Sequence, residues 1–488
     1  MIAQCITESR STQALLNFGM KKKIVVERLD NRMSANGGVL LVREADDKMQ
    51  LTQRLTALIA DMRDPLMITH KFETLWRQSI YQRACGYEDI NDAAIARIDP
   101  AFMVAAGNQN PETGCELAST STLQRFEYSV TNSELKLLQK LLPEVYLDTQ
   151  LHHARTVKLA SDTSCDPVHG DQQGAFYNSF YEERCYVPMF IWDQDTRFPL
   201  AAELRPGNAG PAEGADRILD RVVTAIRARH PEIHIEYTAD AVYALPELFA
   251  FCERKDKKVT YFIGIKSNHA LECKPEVKEA CERAKREFIA LYGEPRMPTK
   301  KEWKRKEERI RYSSKDEGRM QELAEQQDRR VRIFSECMYQ AREWPAERRI
   351  VFRIEYTDDG LDVRYVVTND PRKRSARDVY ENSYCKRSRC ENWVKEMKDL
   401  KCDRLSCQEF DANQFRLLLH TFAYALLVCL QQLLPDDSAD ISISSFVNKL
   451  LKVPVTVKES ARQIKFIFST WDPYAADFDY LLLRLQAS

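Results

Sequence analysis

The chain has 488 residues, 44% of them hydrophobic and 30% charged, enough to bury a large core and to form two or three domains. A formal net charge of -1 gives no global excess of cations, but the charge is uneven: eight Lys/Arg against three Glu lie between Arg296 and Arg311. Such local patches count for more than net charge in binding phosphates. No run of about eighteen apolar residues occurs and the N-terminus lacks a signal-peptide apolar core, so the reading is a soluble, intracellular protein.

Residues 1–150 read as mainly helical after a short extended start. The run from Lys23 to Leu29 is strand-like, Gly37 and Gly38 break it, and apolar residues then recur at helical spacing, again near Leu75–Ala84 and Leu135–Leu142. The segment Thr120–Phe126 reads as a capped helix, able to lie on DNA or simply to start a helix. From Arg155 the pattern changes. Strands are expected at Thr156–Ala160, Cys185–Trp192 and Phe198–Leu204, then a helix at Ala215–Arg229, a strand at Ile233–Ala239, a helix at Pro246–Glu253 and a strand at Val259–Ile265. That order predicts an α/β, ribonuclease H-like catalytic core over 151–270, a mixed sheet flanked by helices in which the first and fourth strands are neighbours.

An insertion is expected over 271–370, charged and helical in look, with strands returning at Arg349–Glu355 and Val363–Thr368. Its basic run includes Trp303, Lys304 and Arg305, and Trp344 follows among further Arg residues. Tryptophan beside cations suits stacking of an unpaired base, although each ring could equally be a packed anchor. The core resumes over 371–435 with its final helix and a nearly all-apolar buried helix from Phe415. A helical region is expected over 436–488.

Fourteen cysteines invite a zinc or disulfide reading. No Cys-x2-Cys occurs, and the pairs Cys385/Cys390 and Cys402/Cys407 are five residues apart, which points helical thiols about 140° away from each other. Buried reduced cysteines are the expectation.

Tyr384, Arg387, Glu391 and Lys398 are spaced by three, four and seven residues, which places them within roughly 60° of one another on an α-helix. A phenol, a guanidinium, a carboxylate and an ammonium on one stripe suit a face turned to a metal and a polyanion. A solvated face with ion pairs would use the same residues. Lys395 lies on the same segment. Upstream, Asp162 and Asp240 each end a predicted strand, where either could simply cap a turn. With Glu391 they form a set of three carboxylates able to hold two Mg²⁺ ions about 3.5–4 Å apart for in-line attack on a phosphodiester. His169, in a glycine-flanked turn, is a possible general base.

These motifs resemble the bacterial insertion-sequence DDE transposases with the Tyr-x2-Arg-x3-Glu-x6-Lys signature, most closely insertion-sequence family thirteen-eighty. Further likeness lies in the segments starting at Asn36, Cys85, Asp166, Ala201, Tyr365 and Asn413, across nearly the whole chain. The resemblance puts the catalytic and metal-binding carboxylates on Asp162, Asp240 and Glu391, and DNA contacts on Tyr384, Arg387 and Lys398. It implies two Mg²⁺, with Mn²⁺ as a substitute, and double-stranded DNA partners in the form of terminal inverted repeats and target. It also implies an N-terminal DNA-binding and dimerisation domain, a homodimer in the DNA complex, and a cytoplasmic, nucleoid-associated place of work. The chain departs from the family pattern at three places. Ser161 precedes Asp162 where Asp-x-Asp is common, leaving Asp166 as an accessory carboxylate; Ala241 and Val242 follow Asp240 where Ser-Gly is common; and Ser388 replaces a glycine. A DNA-binding protein without chemistry, or a ribonuclease H-type nuclease, would share the fold.

Overall fold

The computed structural model describes residues 14–16, 18–19, 21–22, 24–26, 32–111, 114–151, 155–295, 329–372, 374–435 and 441–487. A small hairpin of β1 (Ala14–Leu16) and β2 (Ile24–Val26) and a short β3 (Met33–Ser34) lead into helices. The main ones are Val39–Met49, Leu51–Leu58, Phe72–Ala84, Thr120–Glu127 and Asn132–Thr149. The last begins on a capping box, in which the Thr131 N–H donates to Glu134 Oε2 at 2.8 Å while Thr131 Oγ1 accepts from the Glu134 N–H. The helix Thr120–Glu127 buries Leu123, Phe126 and Glu127, and Ser119 makes no side-chain cap to it.

A large sheet and a small one follow. The strands are β4 (Thr156–Thr163), β5 (Asp166–Pro167), β6 (Phe176–Asn178), β7 (Glu183–Tyr186), β8 (Met189–Asp193), β9 (Pro199–Glu203), β10 (His234–Ala239) and β11 (Val259–Ile265). Beyond the helix Pro275–Tyr292 come β12 (Arg330–Tyr339), β13 (Arg348–Thr357) and β14 (Gly360–Thr368). One eight-stranded sheet runs β12-β13-β14-β11-β10-β4-β8-β9, and β5, β7 and β6 form a small sheet beside it. Within the large sheet β10 is parallel to both β4 and β11; the other pairs are antiparallel.

Three expectations change. The predicted strand Cys185–Trp192 is two strands, because Pro188 falls between β7 and β8 and each belongs to a different sheet. Over 271–370 the helix Pro275–Tyr292 and the strands β13 and β14 lie where a helical stretch and returning strands were expected, but an unexpected strand, β12, joins them in the main sheet and buries Val331, Ile333, Cys337 and Tyr339 at strand period. The region 436–488 is not all helical, since β15 (Val455–Ser460) and β16 (Gln463–Phe468) pair as a hairpin, with β15 also pairing β3, before the helix Ala475–Ala487. All thirteen described cysteines are free thiols.

The helix Phe410–Gln432 is the spine of the core, with Phe415, Leu417, Leu418, Leu419, Phe422 and Leu426 fully buried. Trp76 and Phe126 from the N-terminal helices meet Phe415 edge-on, both at a centroid distance of 5.3 Å. Gly38 marks how close this packing is. A Cβ there would stand 1.9 Å from the Leu450 carbonyl oxygen and 2.4 Å from Leu451 Cα, both backbone atoms that cannot rotate away. Gly38→Ala should therefore destabilise the fold by about 1–3 kcal/mol, read as a lower urea midpoint with an unchanged slope.

Candidate active site

Asp162 and Asp240 are brought together by register. In the parallel pair β4/β10, Ala160 lies opposite Thr238, so two further steps along each strand set Asp162 level with Asp240. Both carboxylates are tied to their turns. Asp162 Oδ1 accepts from the Thr163 N–H at 2.9 Å, and Asp240 Oδ1 caps the 3-10 turn Ala241–Tyr243 through the Val242 N–H at 2.9 Å. The capping role and a role at a site are thus compatible.

The strand ends are braced by a residue that sequence reasoning passed over. Arg205 is buried after the all-buried β9, and its guanidinium donates to the carbonyls of Val187, Gly210, Pro211 and Glu213 and to Thr163 Oγ1 at 3.0 Å. Thr163 Oγ1 also lies 2.8 Å from Tyr243 Oη, joining the turn after β10 to the end of β4. An arginine two residues after the strand Pro199–Glu203, between Leu204 and Pro206, was the available signal.

The segment carrying the signature is helical but irregular. Val379–Tyr384 is a π-helical turn, Cys385–Ser388 a 3-10 turn and Arg389–Asp399 an α-helix. Ser388 donates its hydroxyl to the Cys385 carbonyl at 2.9 Å and closes the 3-10 turn. Tyr384 packs down onto β11, where a Cβ at Gly264 would come within 2.5 Å of its Oη and 3.1 Å of the Ala241 nitrogen. A side chain at position 264 would have to push the phenol aside.

Arg387 stands among the acidic groups. Its guanidinium is 3.7 Å from Glu391 and 5.9 Å from the Tyr384 ring centre. Burial works against its charge, yet Tyr384, Asp240, Asp162 and Glu391 outweigh burial and hold its pKa above the ordinary value. Asp162 is pushed up to about 6, by burial first and by the charges of Asp240 and Glu391 in addition, against the Thr163 N–H and Arg387. Tyr384 is raised by burial and by Asp240. Glu391 itself is 56% exposed.

The donor chemistry, two carboxylates level at neighbouring strand ends and a third on the helix whose charge acts on Asp162, suits a hard divalent cation. Among the described residues no three His, Cys, Asp or Glu side chains converge as a closed metal cluster. Arg387 supplies the compensating positive charge in this conformation.

Lys398 sits apart, two turns on from Glu391. It donates to the Cys165 carbonyl at 2.7 Å and lies 3.7 Å from Asp166 Oδ1. Asp166 is fully buried, accepts from Ser164 Oγ at 2.8 Å and faces Lys398, so it anchors the lysine. Burial pushes Asp166 up to about 7, with Lys398 opposing. Lys395 is exposed, and His169 is exposed on the loop after β5 with no contact among the described residues that joins it to the carboxylates. Trp303, Lys304 and Arg305 lie outside the described residues. Trp344 is not a stacking surface. It is 6% exposed, edge-on to Phe249 and Tyr339 and under the Arg348 guanidinium, because the turn between β12 and β13 folds it against the sheet.

The profile of the family described as transposase DDE domain group 1 matches residues 16–488. The chain belongs to this family. It is accordingly a transposase, an enzyme of the DNA nuclease and strand-transferase class, whose relatives generally use divalent metal ions. Among solved structures it is similar to the piggyBac transposase synaptic complex with hairpin DNA, at 9% identity and a TM-score of 0.40, over 92% of this chain and 82% of that one. No curated protein matches it.

The buried Asp166 gives a pH signature. Its folded pKa of about 7 exceeds the unfolded value of 3.8, so the folded state holds the extra proton between those limits and stability falls as pH rises through that window. Asp166→Asn should remove this loss. Relative to the parent, the variant gains up to about 1.4 kcal/mol per pH unit across the window, measured by urea titrations at successive pH values.

Proposed function

We propose that the chain is an insertion-sequence DDE transposase that binds terminal inverted repeats, cuts donor DNA and joins the 3′ ends to target DNA. The observation that carries this reading is the level placement of Asp162 and Asp240 on neighbouring parallel strands, with Arg387 facing both and Glu391. The order β9-β8-β4-β10-β11, with β4 parallel to β10 and antiparallel to β8, supports a ribonuclease H-like core. The signature spacing favours insertion-sequence family thirteen-eighty.

Asp162, Asp240 and Glu391 would hold the divalent ions, Mg²⁺ or Mn²⁺, which when bound supply a more acidic nucleophile and a stabilised leaving oxygen. The remaining work falls to the chain. Arg387 offers planar donors to the phosphate flanking the scissile bond, Tyr384 adds a hydroxyl above Gly264, and Lys398, steadied by Asp166, adds a second cation. Glu391 is the exposed member of the set, and a phosphate taking Arg387 would release it from that contact. The N-terminal helices and the basic run 296–311 would hold the ends, in a homodimer acting on the bacterial nucleoid.

Asp162→Ala, Asp240→Ala and Glu391→Ala should each abolish Mg²⁺-dependent cleavage of end DNA and leave binding in a metal-free gel shift largely intact, because phosphate contacts dominate affinity. Any of the three cleaving at the parental rate removes that residue from the site. Parental protein that binds ends and never cuts them would identify a DNA-binding protein on the same fold.

Arg387→Gln should weaken end binding and lower the salt slope by about one phosphate contact. A parental slope with lost cleavage would instead make Arg387 a brace for Glu391.

A further inference from the structure

With Trp344 buried, exposed rings beside the carboxylates lie elsewhere, on the hairpin between β6 and β7. Phe180 is 80% exposed and meets Tyr181 edge-on at 4.9 Å between centroids. The turn that bears them is rigid. Asn178 Oδ1 accepts from the backbone N–H groups of both Phe180 and Tyr181, at 3.0 and 3.3 Å, and its Nδ2 donates to the Gly207 carbonyl at 2.8 Å. Gly207 presses so closely on the hairpin that a Cβ would stand 2.1 Å from the Cys185 carbonyl oxygen and 2.5 Å from that of Phe176. Glu182, at φ 57°, completes the tight return.

The hairpin is tied to the segment that follows Asp162: β5 pairs with β7, Asp166 opposite Tyr186 and Pro167 opposite Cys185, and Cys165 Sγ donates to Glu183 Oε1 at 3.3 Å. The Tyr181 phenol, raised by burial first, also feels the charges of Asp162 and Asp240. Single exposed rings are ordinary on a protein surface. An edge-on pair fixed by side-chain and backbone bonds, next to the carboxylates that would act on a phosphodiester, is a more specific arrangement. A base within duplex DNA has both faces covered by its neighbours, so only one that has left the stack can offer a face to such a pair.

We propose that Phe180 and Tyr181 form a stacking site for an unpaired nucleobase of the DNA strand lying at Asp162 and Asp240. This rests on the DNA-cutting reading of the carboxylate site. Stacking is tolerant of base identity, so the site recognises opened DNA rather than sequence.

The test uses two labelled duplexes, one fully paired and one with an unpaired tract containing the fluorescent base pyrrolo-cytosine, bound without divalent metal to the full chain and to Phe180→Ala, Phe180→Leu and Phe180→Trp. Phe180 is exposed enough for all three to fold, and melting curves check this. The parent should prefer the unpaired tract and change the emission of its pyrrolo-cytosine. The Ala and Leu variants should lose that preference by roughly five- to hundred-fold, with affinity for paired DNA unchanged, and the Trp variant should keep it. A Leu variant that retains the preference, or a parent that shows none while binding both duplexes, overturns the stacking site alone. Loss of self-association in Phe180→Ala with both DNA affinities intact assigns the rings to a second copy of the chain instead. Failure of the parent to bind either duplex overturns the DNA reading beneath it.

Discussion

The parallel ladder between β4 and β10 is the constraint on which the site depends. Five residue pairs, from Thr156 opposite His234 to Ala160 opposite Thr238, fix where each strand ends. A slip of one residue would turn every side chain of one strand to the other face, and Asp162 and Asp240 would no longer share a side. The register is reinforced across the strands by side chains, since Thr238 Oγ1 and Gln194 Nε2 both donate to the Leu159 carbonyl, at 3.3 and 3.4 Å. Arg205 and Tyr243 then converge on Thr163, so the residue after Asp162 is held from two sides.

Charge sets the second constraint. The charges of Asp240 and Glu391 add to burial in raising the proton affinity of Asp162, and a fixed cation is the simplest relief. Arg387 takes that position because the segment before Glu391 is not a regular α-helix. A π turn followed by a 3-10 turn alters the rotation per residue between Tyr384 and Arg389. The phenol drops onto Gly264 and the guanidinium stands between the acids. Irregular helix is costly in hydrogen-bond geometry, and here it coincides with the residues that face the aspartates.

Much of this was legible in the chain. Asp162 and Asp240 ended predicted strands, the helices Ala215–Arg229 and Pro246–Glu253 lie where their apolar periods put them, and the apolar helix after the signature is the spine of the core. What was missed has physical causes. In β12 the charges of Arg330, Arg332 and Glu336 alternate with inward residues, so a strand looked like one more part of a charged stretch. In β15 and β16 the alternation is clear, but the hairpin is short and its turn, Ala461–Arg462, carries no glycine. Trp344 looked available for a ligand because arginines surround it, yet Arg348 covers its ring rather than a phosphate. Proximity to cations in sequence does not say which partner the cation will take.

The boundary expected near residue 150 illustrates the same limit. The N-terminal helices and the spine helix share a buried ion network: Glu127 accepts from Arg83 at 2.5 Å and from Arg416 at 2.9 Å, with all three side chains at 5% exposure or less. Ions so deeply placed gain little over apolar packing, but breaking such a pair leaves a charge stranded in the interior, which is strongly unfavourable. Separating the helical half from the spine helix would break the Glu127–Arg416 pair, strand the Arg416 guanidinium and uncover Trp76 and Phe415 as well. A hinge at that boundary is therefore costly, and the helices stand in a fixed relation to the carboxylates.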